Sequence, residues 1–460
     1  MKLIVKNLQS LEGFVFKRMA DSKLPGLSLA GIVDGELEYS HGFGFRDLAS
    51  GASATPDTLY GIGSITKSFT ALAVMQLQEH GKLTVEDPVD DYVHTGLRPK
   101  GERILIKHLL NHSSGMPALA YAEAAFSHLT HASDMWLPIS NTRDLVTFMQ
   151  GSDKWAHAKP GERWFYFNEG YILLGSLIEE ASGMRYTDYM TENILKPLDM
   201  NRSYWTKQKA EADTDFATPY NVTSESWEPS SYTYGEMLSD GGLISSVTDM
   251  AHYVQMYLNG GEYKGKRIVE PESIKRMLTD VVRIPDEPLY GDQIGHYGYG
   301  LNIWPGFLGR TLIHHSGSVY VATAYMGIIP EEKTGVVVLT NASGYPPSYV
   351  GNYALATLLG EDPKKVTAIR TEELLEDITG VYETFMDTMK LTVTRHGGFL
   401  NIDAKDKHRS WSTPIFPEKM DGERRVFSQI LQDRKIPVEF IKEGAETWMI
   451  YERYKLRRVN

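Results

Sequence analysis

The chain has 460 residues, a formal net charge of −12 and no cysteine. The acidic balance argues against nucleic acid or an anionic membrane surface as a partner, and the lack of cysteine excludes disulfides, thiol catalysis and cysteine-bound metals. The sequence contains neither an apolar run of membrane-spanning length nor a signal-peptide pattern. We therefore expect a cytoplasmic protein of two or three domains, with no nucleic-acid and no membrane partner.

The first 360 residues have the spacing of a mixed α/β body. Residues 8–20 predict an amphipathic helix, and Asp34-Gly35 predicts the turn of a hairpin between two strands. The segment from Ser64 to Glu79 is apolar on nearly every side, which predicts a helix in the middle of a domain that ends at Gly81. Two further buried strands and a helix are predicted at residues 322–330, 335–341 and 349–360.

The C-terminal part of the chain has a different pattern. Residues 360–377 are rich in charge and contain Pro363, which is typical of a linker or domain boundary. Beyond them, polar and apolar residues alternate at period two on both sides of Gly397-Gly398 and of Gly444. This alternation predicts repeated hairpins and a small antiparallel barrel or sandwich. The expected organisation is a body over residues 1–362, a linker over 363–375 and a β domain over 376–460.

The first candidate for chemistry is Ser64-Ile65-Thr66-Lys67, at the start of the predicted buried helix. Residues at i and i+3 share a helix face, so the hydroxyl of Ser64 and the amine of Lys67 can reach each other. A helix N-terminus also favours an oxyanion. The alternative is that Ser64 caps the helix and that Lys67 is solvated. The position of Lys67, one turn into an apolar helix, does not fit this alternative.

The second candidate is Tyr166-Phe167-Asn168, which directly precedes a predicted helix. A tyrosine hydroxyl beside a lysine can serve as a general base. The alternative interpretation is an ordinary aromatic side chain at the edge of a core.

The third candidate is His315-Ser316-Gly317, which is followed by a predicted apolar strand. The glycine would let a substrate approach the strand backbone closely. The backbone N–H groups of Ser318 and Ser64 could then form an oxyanion hole.

Other matches to catalytic patterns lie in unsuitable contexts. Lys333-Thr334-Gly335 follows a polar stretch between two strands, which indicates a hairpin turn, and Tyr257-Leu258-Asn259 ends a helix before two glycines. His108 and His112 have the i, i+4 spacing of a zinc pair, but no HExxH glutamate or clear third ligand accompanies them. We therefore expect no metal and no cofactor, with these two histidines acting as structural or loop-anchoring residues.

Six blocks within the first 360 residues resemble the serine β-lactamase and penicillin-binding-protein superfamily, in its CubicO group. Ser-x-x-Lys and Lys-Thr-Gly are known marks of that superfamily. The whole chain is most similar to archaeal CubicO-type serine peptidases that carry a lipocalin-like C-terminal domain. The blocks are LPGLSLAGIVDGELEYSHGFGFRD, TLYGIGSITKSFTALAVMQLQEHGKL, IKHLLNHSSGMP, FNEGYILLGSLIEEASG, SDGGLISSVTDMAHY and HSGSVYVATAYMGIIPEEKTGVVVLTN.

The resemblance implies a fold with two parts. The first is an α/β (α+β) β-lactamase/transpeptidase-like body, in which an antiparallel sheet has flanking helices and a helical subdomain. The second is an all-β, lipocalin-like barrel. By the same likeness we expect a homo-oligomer.

The resemblance also implies a serine hydrolase that forms an acyl-enzyme on Ser64, with Lys67 and Tyr166 sharing the acid–base work. Asn168 would orient Lys67 or the substrate amide, and Ser316, Gly317 and Ser318 would line the substrate and oxyanion site. His315 stands where the drug-hydrolysing relatives have lysine, which favours a peptide, amide or ester substrate. A β-lactamase or DD-peptidase, or a non-catalytic binding protein of the same fold, are the alternatives. If His315 relays a proton, kcat/KM should have an acidic limb at about pH 6–7.

The C-terminal domain is expected to act in assembly and access, because the motifs are complete before Gly360. Its aromatic residues are more numerous than a core of that size requires, so some should be exposed as contact surface. The alternative is that they fill the interior of a small barrel. The residues concerned are Trp411, Phe416, Phe427, Phe440, Trp448, Tyr451 and Tyr454.

Overall fold

The computed structural model describes residues 2–129, 134, 137–223, 225–232, 238–286, 294–344, 346–405, 407–408 and 410–459, with the backbone alone for residues 2–7. Residues 1–363 and 364–460 form two separate compact units. The helices of the described ranges are α1 Lys2–Ser22, α2 Thr66–Glu79, α3 Ile106–Leu110, α4 Tyr121–Leu129, α5 Thr142–Met149, α6 Asn168–Ser182, α7 Tyr186–Met190, α8 Lys207–Glu211, α9 Val247–Leu258, α10 Pro271–Thr279, α11 Pro347–Leu358 and α12 Thr367–Glu376.

The strands of the first unit are β1 Gly26–Val33, β2 Glu36–Asp47, β3 Ala52–Ser53, β4 Tyr60–Gly61, β5 Tyr220–Val222, β6 Trp227–Pro229, β7 Ile244–Ser245, β8 Glu262–Tyr263, β9 Lys266–Arg267, β10 Val282–Arg283, β11 His296–Tyr297, β12 Asn302–Phe307, β13 Arg310–Ser318, β14 Thr323–Ile329 and β15 Thr334–Thr340. Those of the second unit are β16 Gly380–Glu383, β17 Lys390–His396, β18 Phe399–Lys405, β19 Ser410–Lys419, β20 Arg424–Leu431, β21 Arg434–Glu443, β22 Glu446–Tyr451 and β23 Tyr454–Arg458.

The first unit is built on a nine-stranded antiparallel sheet in the order β10-β11-β12-β13-β14-β15-β1-β2-β3. The predicted hairpin at Asp34-Gly35 is confirmed: both residues have positive φ, at 54° and 81°. A two-residue turn with this backbone matches the right-handed twist of the strands it joins. The strands predicted at 322–330 and 335–341 are β14 and β15.

Helices cover both faces of this sheet. A Cβ atom on Gly31 would lie 2.8 Å from Leu358 of α11, and one on Gly335 would lie 2.5 Å from Val254 of α9. Gly335 is paired with Ile32, the neighbour of Gly31. Since successive residues of a strand point to opposite faces, α11 and α9 pack on opposite sides of the sheet. The predicted layered α/β body is therefore confirmed.

The helix predicted from the apolar segment after Ser64 is also confirmed. The chain makes a 3-10 turn at Gly63–Ile65 and continues as α2, in which every side chain from Thr66 to Leu77 is buried. Helix α6 packs against it. Since α2 has no polar face over this length, it is held inside the unit on all sides, and its N-terminal turn holds Ser64 in a defined place.

The second unit is a closed antiparallel barrel of eight strands, β16 to β23, in which β23 returns to pair with β16. The predicted lipocalin-like barrel is confirmed. Buried and less buried residues alternate along β17, β18 and β22, as they do in small barrels filled by side chains. Both interpretations of its aromatic residues hold in part, because Phe427 and Phe440 are buried whereas Trp411 and Phe416 are each 40% exposed.

The charged segment predicted as a linker contains helix α12. Ile369, Glu372 and Leu375, three residues apart, form its buried side, and Glu372 makes an ion pair with Arg395 of β17 at 2.9 Å. The apolar stripe is narrow and one of its members is a glutamate, so the pattern of charges alone does not indicate a helix. No helix of the described ranges is both long and apolar enough to cross a membrane.

Candidate active site

Ser64 and Lys67 lie within hydrogen-bonding distance in the folded chain. Lys67 Nζ is 3.0 Å from Ser64 Oγ and donates to the backbone oxygen of Asp240 at 2.7 Å. Lys67 is fully buried, and its Nζ lies 5.0 Å from the centre of the Tyr166 ring. No side-chain hydrogen bond caps the turn or α2, so the geometry is not that of a capping serine with a solvated lysine.

Close contact between two backbone segments brings the 3-10 turn against strand β13. A Cβ atom on Gly317 would lie 1.9 Å from Ile62 O and 3.2 Å from Ser64 N, and one on Gly63 would lie 2.7 Å from Ser318 N. Neither residue can therefore carry a side chain without a backbone shift. The two glycines allow the N–H groups of Ser64 and Ser318 to come close together.

The strand pairing decides where the N–H of Ser318 points. Val319 N–H donates to Ala322 O at 3.0 Å, and Ser318 faces Thr323 in the adjacent pair. Hydrogen-bonded and non-hydrogen-bonded pairs alternate in an antiparallel ladder, so the N–H of Ser318 points away from β14. Thr323 N–H correspondingly donates to Thr340 Oγ1 on the other side. An arrangement of this kind can present two N–H groups to one oxygen atom.

A cavity of about 1090 Å³ opens beside Ser64. Lys67 lies behind it and does not line it. The fold thus brings three segments from distant parts of the chain to one place. The predicted site residues that line the cavity are Ser64, Tyr166, Asn168, His315, Ser316, Gly317 and Ser318.

Asn168 is the first residue of α6 and lines the cavity. The described side-chain hydrogen bonds of Lys67 go to Ser64 and to the Asp240 backbone, not to Asn168. Its place in the cavity wall therefore favours contact with the substrate over orientation of Lys67.

His315 is 3% exposed and has a defined tautomer. Its Nδ1 lies 2.6 Å from Ser316 O, and a carbonyl only accepts, so Nδ1 carries the proton. Nε2 then accepts from the Tyr297 hydroxyl at 2.9 Å. Burial, helped by the charge of Lys67, lowers the pKa of His315 to about 3. A pKa this low would place an acidic limb that depends on His315 below the expected range of about pH 6–7.

Three further residues, which no motif in the sequence indicates, lie beside the predicted ones. Tyr297 orients His315, and both Asp240 and Tyr121 line the cavity. One signal could have pointed to Tyr297, which is followed by Gly298 and Gly300. A Cβ atom on Gly300 would lie 2.8 Å from Lys67 O, so this glycine marks a close approach to α2 next to the site.

The other matches to catalytic patterns lie outside the cavity. Lys333 occupies the turn between β14 and β15 with φ of 45°, and Asn259 ends α9. His108 Nδ1 accepts from the N–H of Leu105 at 3.1 Å. No group of three or more metal-binding side chains occurs in the part of the chain that the structure describes.

His112 is a fully buried histidine beside the catalytic candidates. Its Nδ1 accepts from Phe167 N–H at 3.1 Å, its ring centre lies 4.3 Å from that of Tyr166, and Nε2 has no partner among the described residues. Burial, together with the charges of Lys67 and His315, holds the pKa of His112 well below its usual value. His112 thus anchors the loop before α6 in its neutral form.

This burial predicts that the protein loses stability in mild acid. Above about pH 6.5 the imidazole of His112 is neutral in both the folded and the unfolded chain. As the pH falls below that value, only the unfolded chain binds the proton, so the free energy of unfolding falls by up to about 1.4 kcal/mol per pH unit. His112 has φ of 59°, which asparagine tolerates. His112→Asn should make the pH dependence shallower between about pH 6.5 and 5, as measured by urea unfolding. Parallel profiles for the two proteins would contradict it.

Comparison with known proteins agrees with the fold of the body and with the barrel. The Beta-lactamase family matches residues 11–361, and the Pab87 octamerisation domain matches residues 363–457. The solved structure of the octameric penicillin-binding protein homologue from Pyrococcus abyssi is 43% identical, with a TM-score of 0.92 over 98% of this chain and 100% of that one.

Two curated bacterial proteins are more distant relatives. Protein flp of Staphylococcus aureus (strain MW2) is 28% identical over 356 residues, which are 74% of this chain and 65% of that protein. Penicillin-binding protein 4* of Bacillus subtilis (strain 168) is 28% identical over 341 residues, 69% of this chain and 71% of that protein. The chain thus spans less than two thirds of protein flp. Most of its length carries the family match, so the chain belongs to the beta-lactamase family, whose superfamily includes the penicillin-binding proteins.

Proposed function

We propose that this protein is a serine hydrolase that cleaves a peptide, amide or ester through an acyl-enzyme on Ser64. The main observation in support of this proposal is the distance of 3.0 Å between Ser64 Oγ and the Nζ atom of the fully buried Lys67. A nucleophilic hydroxyl needs an adjacent group that takes its proton. The beta-lactamase family consists generally of serine hydrolases, which supports the reaction class.

The acid–base work is assigned to Lys67 and Tyr166. As Ser64 Oγ attacks the carbonyl carbon, its proton passes to this pair, which then protonates the leaving group. Water then attacks the acyl-enzyme, gives its proton to the same pair, and the pair returns a proton to Ser64 Oγ as the acid is released. The Tyr166 ring lies 5.0 Å from Lys67 Nζ, which supports their action as one unit.

The N–H groups of Ser64 and Ser318 are assigned to the oxyanion that forms during attack. They lie on either side of the contact between Gly63 and Gly317. Two preorganised donors of this kind stabilise the transition state more than the substrate, because the negative charge develops only there.

Neutral His315, fixed by Tyr297 and Ser316, would contact the substrate beside the oxyanion hole. It places a neutral imidazole at the position where the drug-hydrolysing members of the superfamily have a lysine. A neutral side chain attracts a substrate carboxylate less than an ammonium does. This favours peptide, amide or ester substrates over β-lactams.

The second candidate is a β-lactamase or DD-peptidase, which the name of the Bacillus subtilis relative favours. Incubation with a fluorophosphonate followed by peptide mass mapping should give one adduct, on Ser64. A turnover panel of a nitrophenyl ester, a peptide p-nitroanilide and a chromogenic cephalosporin should show the first two cleaved faster. Faster cleavage of the cephalosporin would support the second candidate, and neither adduct nor turnover would indicate a non-catalytic protein.

We further propose that the barrel assembles copies of the chain. Its match to an octamerisation domain and the octameric state of the Pyrococcus abyssi relative support this. Large apolar side chains are also exposed on the barrel, including Ile430 at 60% and Leu431 at 51%. Apolar residues of this size are more typical of an interface than of a free surface.

Ile430→Glu should therefore lower the mass of the particle in light scattering by a factor of two or more, because a charge buried in an interface has no partner there. Lys407→Glu, in an exposed loop of the same barrel, should keep the original mass. Circular dichroism should show both variants folded. Equal masses for Ile430→Glu and the unchanged protein would show that Ile430 lies outside the interface.

A further inference from the structure

The carboxylate of Asp240 lies in the wall of the cavity, and its hydrogen bonds and ion pairs are incomplete. Its Oδ2 accepts from the Tyr121 hydroxyl at 3.2 Å, and the N–H of Asp240 itself also donates to the carboxylate, whereas no hydrogen bond from another described residue reaches Oδ1. Asp240 is placed beside the reaction centre by its own backbone oxygen, which accepts from Lys67 Nζ at 2.7 Å. Asp240 therefore lies in the cavity wall next to Ser64 and Lys67.

The charges around the cavity are unbalanced. Its lining within the described ranges includes Asp240 and Glu123 but no lysine or arginine. None of the residues of the first unit outside those ranges is lysine or arginine in the sequence. The charge of Lys67 acts on Asp240, but the described hydrogen bonds of Lys67 go to Ser64 and to the peptide oxygen of Asp240 rather than to its carboxylate.

Aromatic side chains form much of the remaining wall. Tyr121, Phe126, Trp164 and Tyr166 all line the cavity. The faces of aromatic rings attract cations, most strongly where water is excluded. A carboxylate in a cavity lined by such rings can bind an organic ammonium group, and it repels a substrate carboxylate.

We propose that Asp240 is a specificity-determining residue that binds an ammonium group on the acyl part of the substrate. This inference rests on the proposed acyl transfer at Ser64. The ammonium can be the free α-amino group of an N-terminal residue or the side chain of a lysine. In either case the cation completes the pairing that the protein leaves open at Oδ1.

The electrostatics of Asp240 agree with this role. Burial raises the pKa of its carboxyl group, and the charge of Lys67 only partly offsets the rise. A bound ammonium would supply the missing compensation, because an opposite charge favours the ionised form. The ammonium group of a substrate would thus form an ion pair with Asp240 in a place that is largely shielded from water.

The test compares matched substrates in the full-length protein. Alanine p-nitroanilide is compared with its N-acetyl form, and N-acetyl-lysine p-nitroanilide with N-acetyl-norleucine p-nitroanilide, each in both enantiomers. We expect the ammonium member of at least one pair to have a kcat/KM at least tenfold higher. Which pair shows the preference distinguishes the α-amino group from the side chain.

Asp240→Asn should lower that ratio by about tenfold or more, and the isosteric amide keeps the shape of the site. Glu123→Gln is the matched control, because Glu123 is exposed at the same cavity, and it should change the ratio less than about twofold. If Asp240→Asn slows both members of a pair equally, Asp240 acts through Lys67 and the proposal is wrong. The same loss in Glu123→Gln would also overturn it.

A second measurement needs neither the variant nor turnover. Hexylamine should slow the acylation of the unchanged protein by a neutral fluorophosphonate, and hexanoate at equal concentration should not. Equal protection by the two, or none, overturns the inference while acylation of Ser64 still supports the proposed hydrolase. If Ser64 is not acylated at all, the proposed function itself fails, and this inference fails with it.

Discussion

Ser64→Ala is expected to reduce kcat/KM for any cleaved ester or peptide at least about 1,000-fold, because the nucleophile of a catalytic unit has no substitute. The fold should remain, since the Ser64 side chain makes no capping hydrogen bond. Lys67 keeps its bond to the Asp240 backbone. The loss of one hydrogen bond costs about 1 kcal/mol of unfolding free energy.

The measurement is a steady-state assay with the nitrophenyl ester, accompanied by thermal unfolding and by fluorophosphonate labelling. Ser68→Ala is a matched control one turn further along α2, where the hydroxyl donates to Ile65 O at 2.8 Å and takes no part in the site. It should stay active and be labelled at Ser64. Stoichiometric labelling of Ser64→Ala at another residue would refute the assignment of the nucleophile.

Gly317→Ala is expected to have the second largest effect. The added methyl group would lie 1.9 Å from Ile62 O, a backbone atom that cannot rotate away. Strand β13 or the turn before Ser64 must therefore shift, and the N–H groups of Ser64 and Ser318 separate. The loss of one oxyanion donor lowers kcat by about 100-fold to 1,000-fold, and overpacking of this kind costs about 1–3 kcal/mol of stability.

Gly398→Ala is the control for the added methyl group. Gly398 lies in a barrel hairpin with no atom within 4 Å of the new Cβ and without a positive φ, so activity and unfolding temperature should stay unchanged. Both are measured by the ester assay and by thermal unfolding. Unchanged kcat and stability in Gly317→Ala would show that the contact with Ile62 relaxes without cost, and that the donors are not held as described.

Local sequence patterns predicted several of the main elements of the fold. Asp34-Gly35 specifies a turn whose positive φ angles few other pairs adopt, and the period of two around Gly397-Gly398 is that of a hairpin with one buried face. The apolar segment after Ser64 predicts α2 because a helix without a polar face has no stable place at a surface. Signals of this kind depend on neighbouring residues alone, and these elements are all present in the structure.

The sequence by itself also determined the pair Ser64 and Lys67, since their spacing of three residues places them on one helix face. Only the tertiary structure decided the surroundings of that pair. The chain packs Asp240, Tyr121 and Tyr297 around it from segments far apart in sequence. Contacts of that range depend on how the helices pack on the sheet, which no local period encodes. Burial also lowers the pKa of His315, because desolvation is a property of the folded environment and not of the residue.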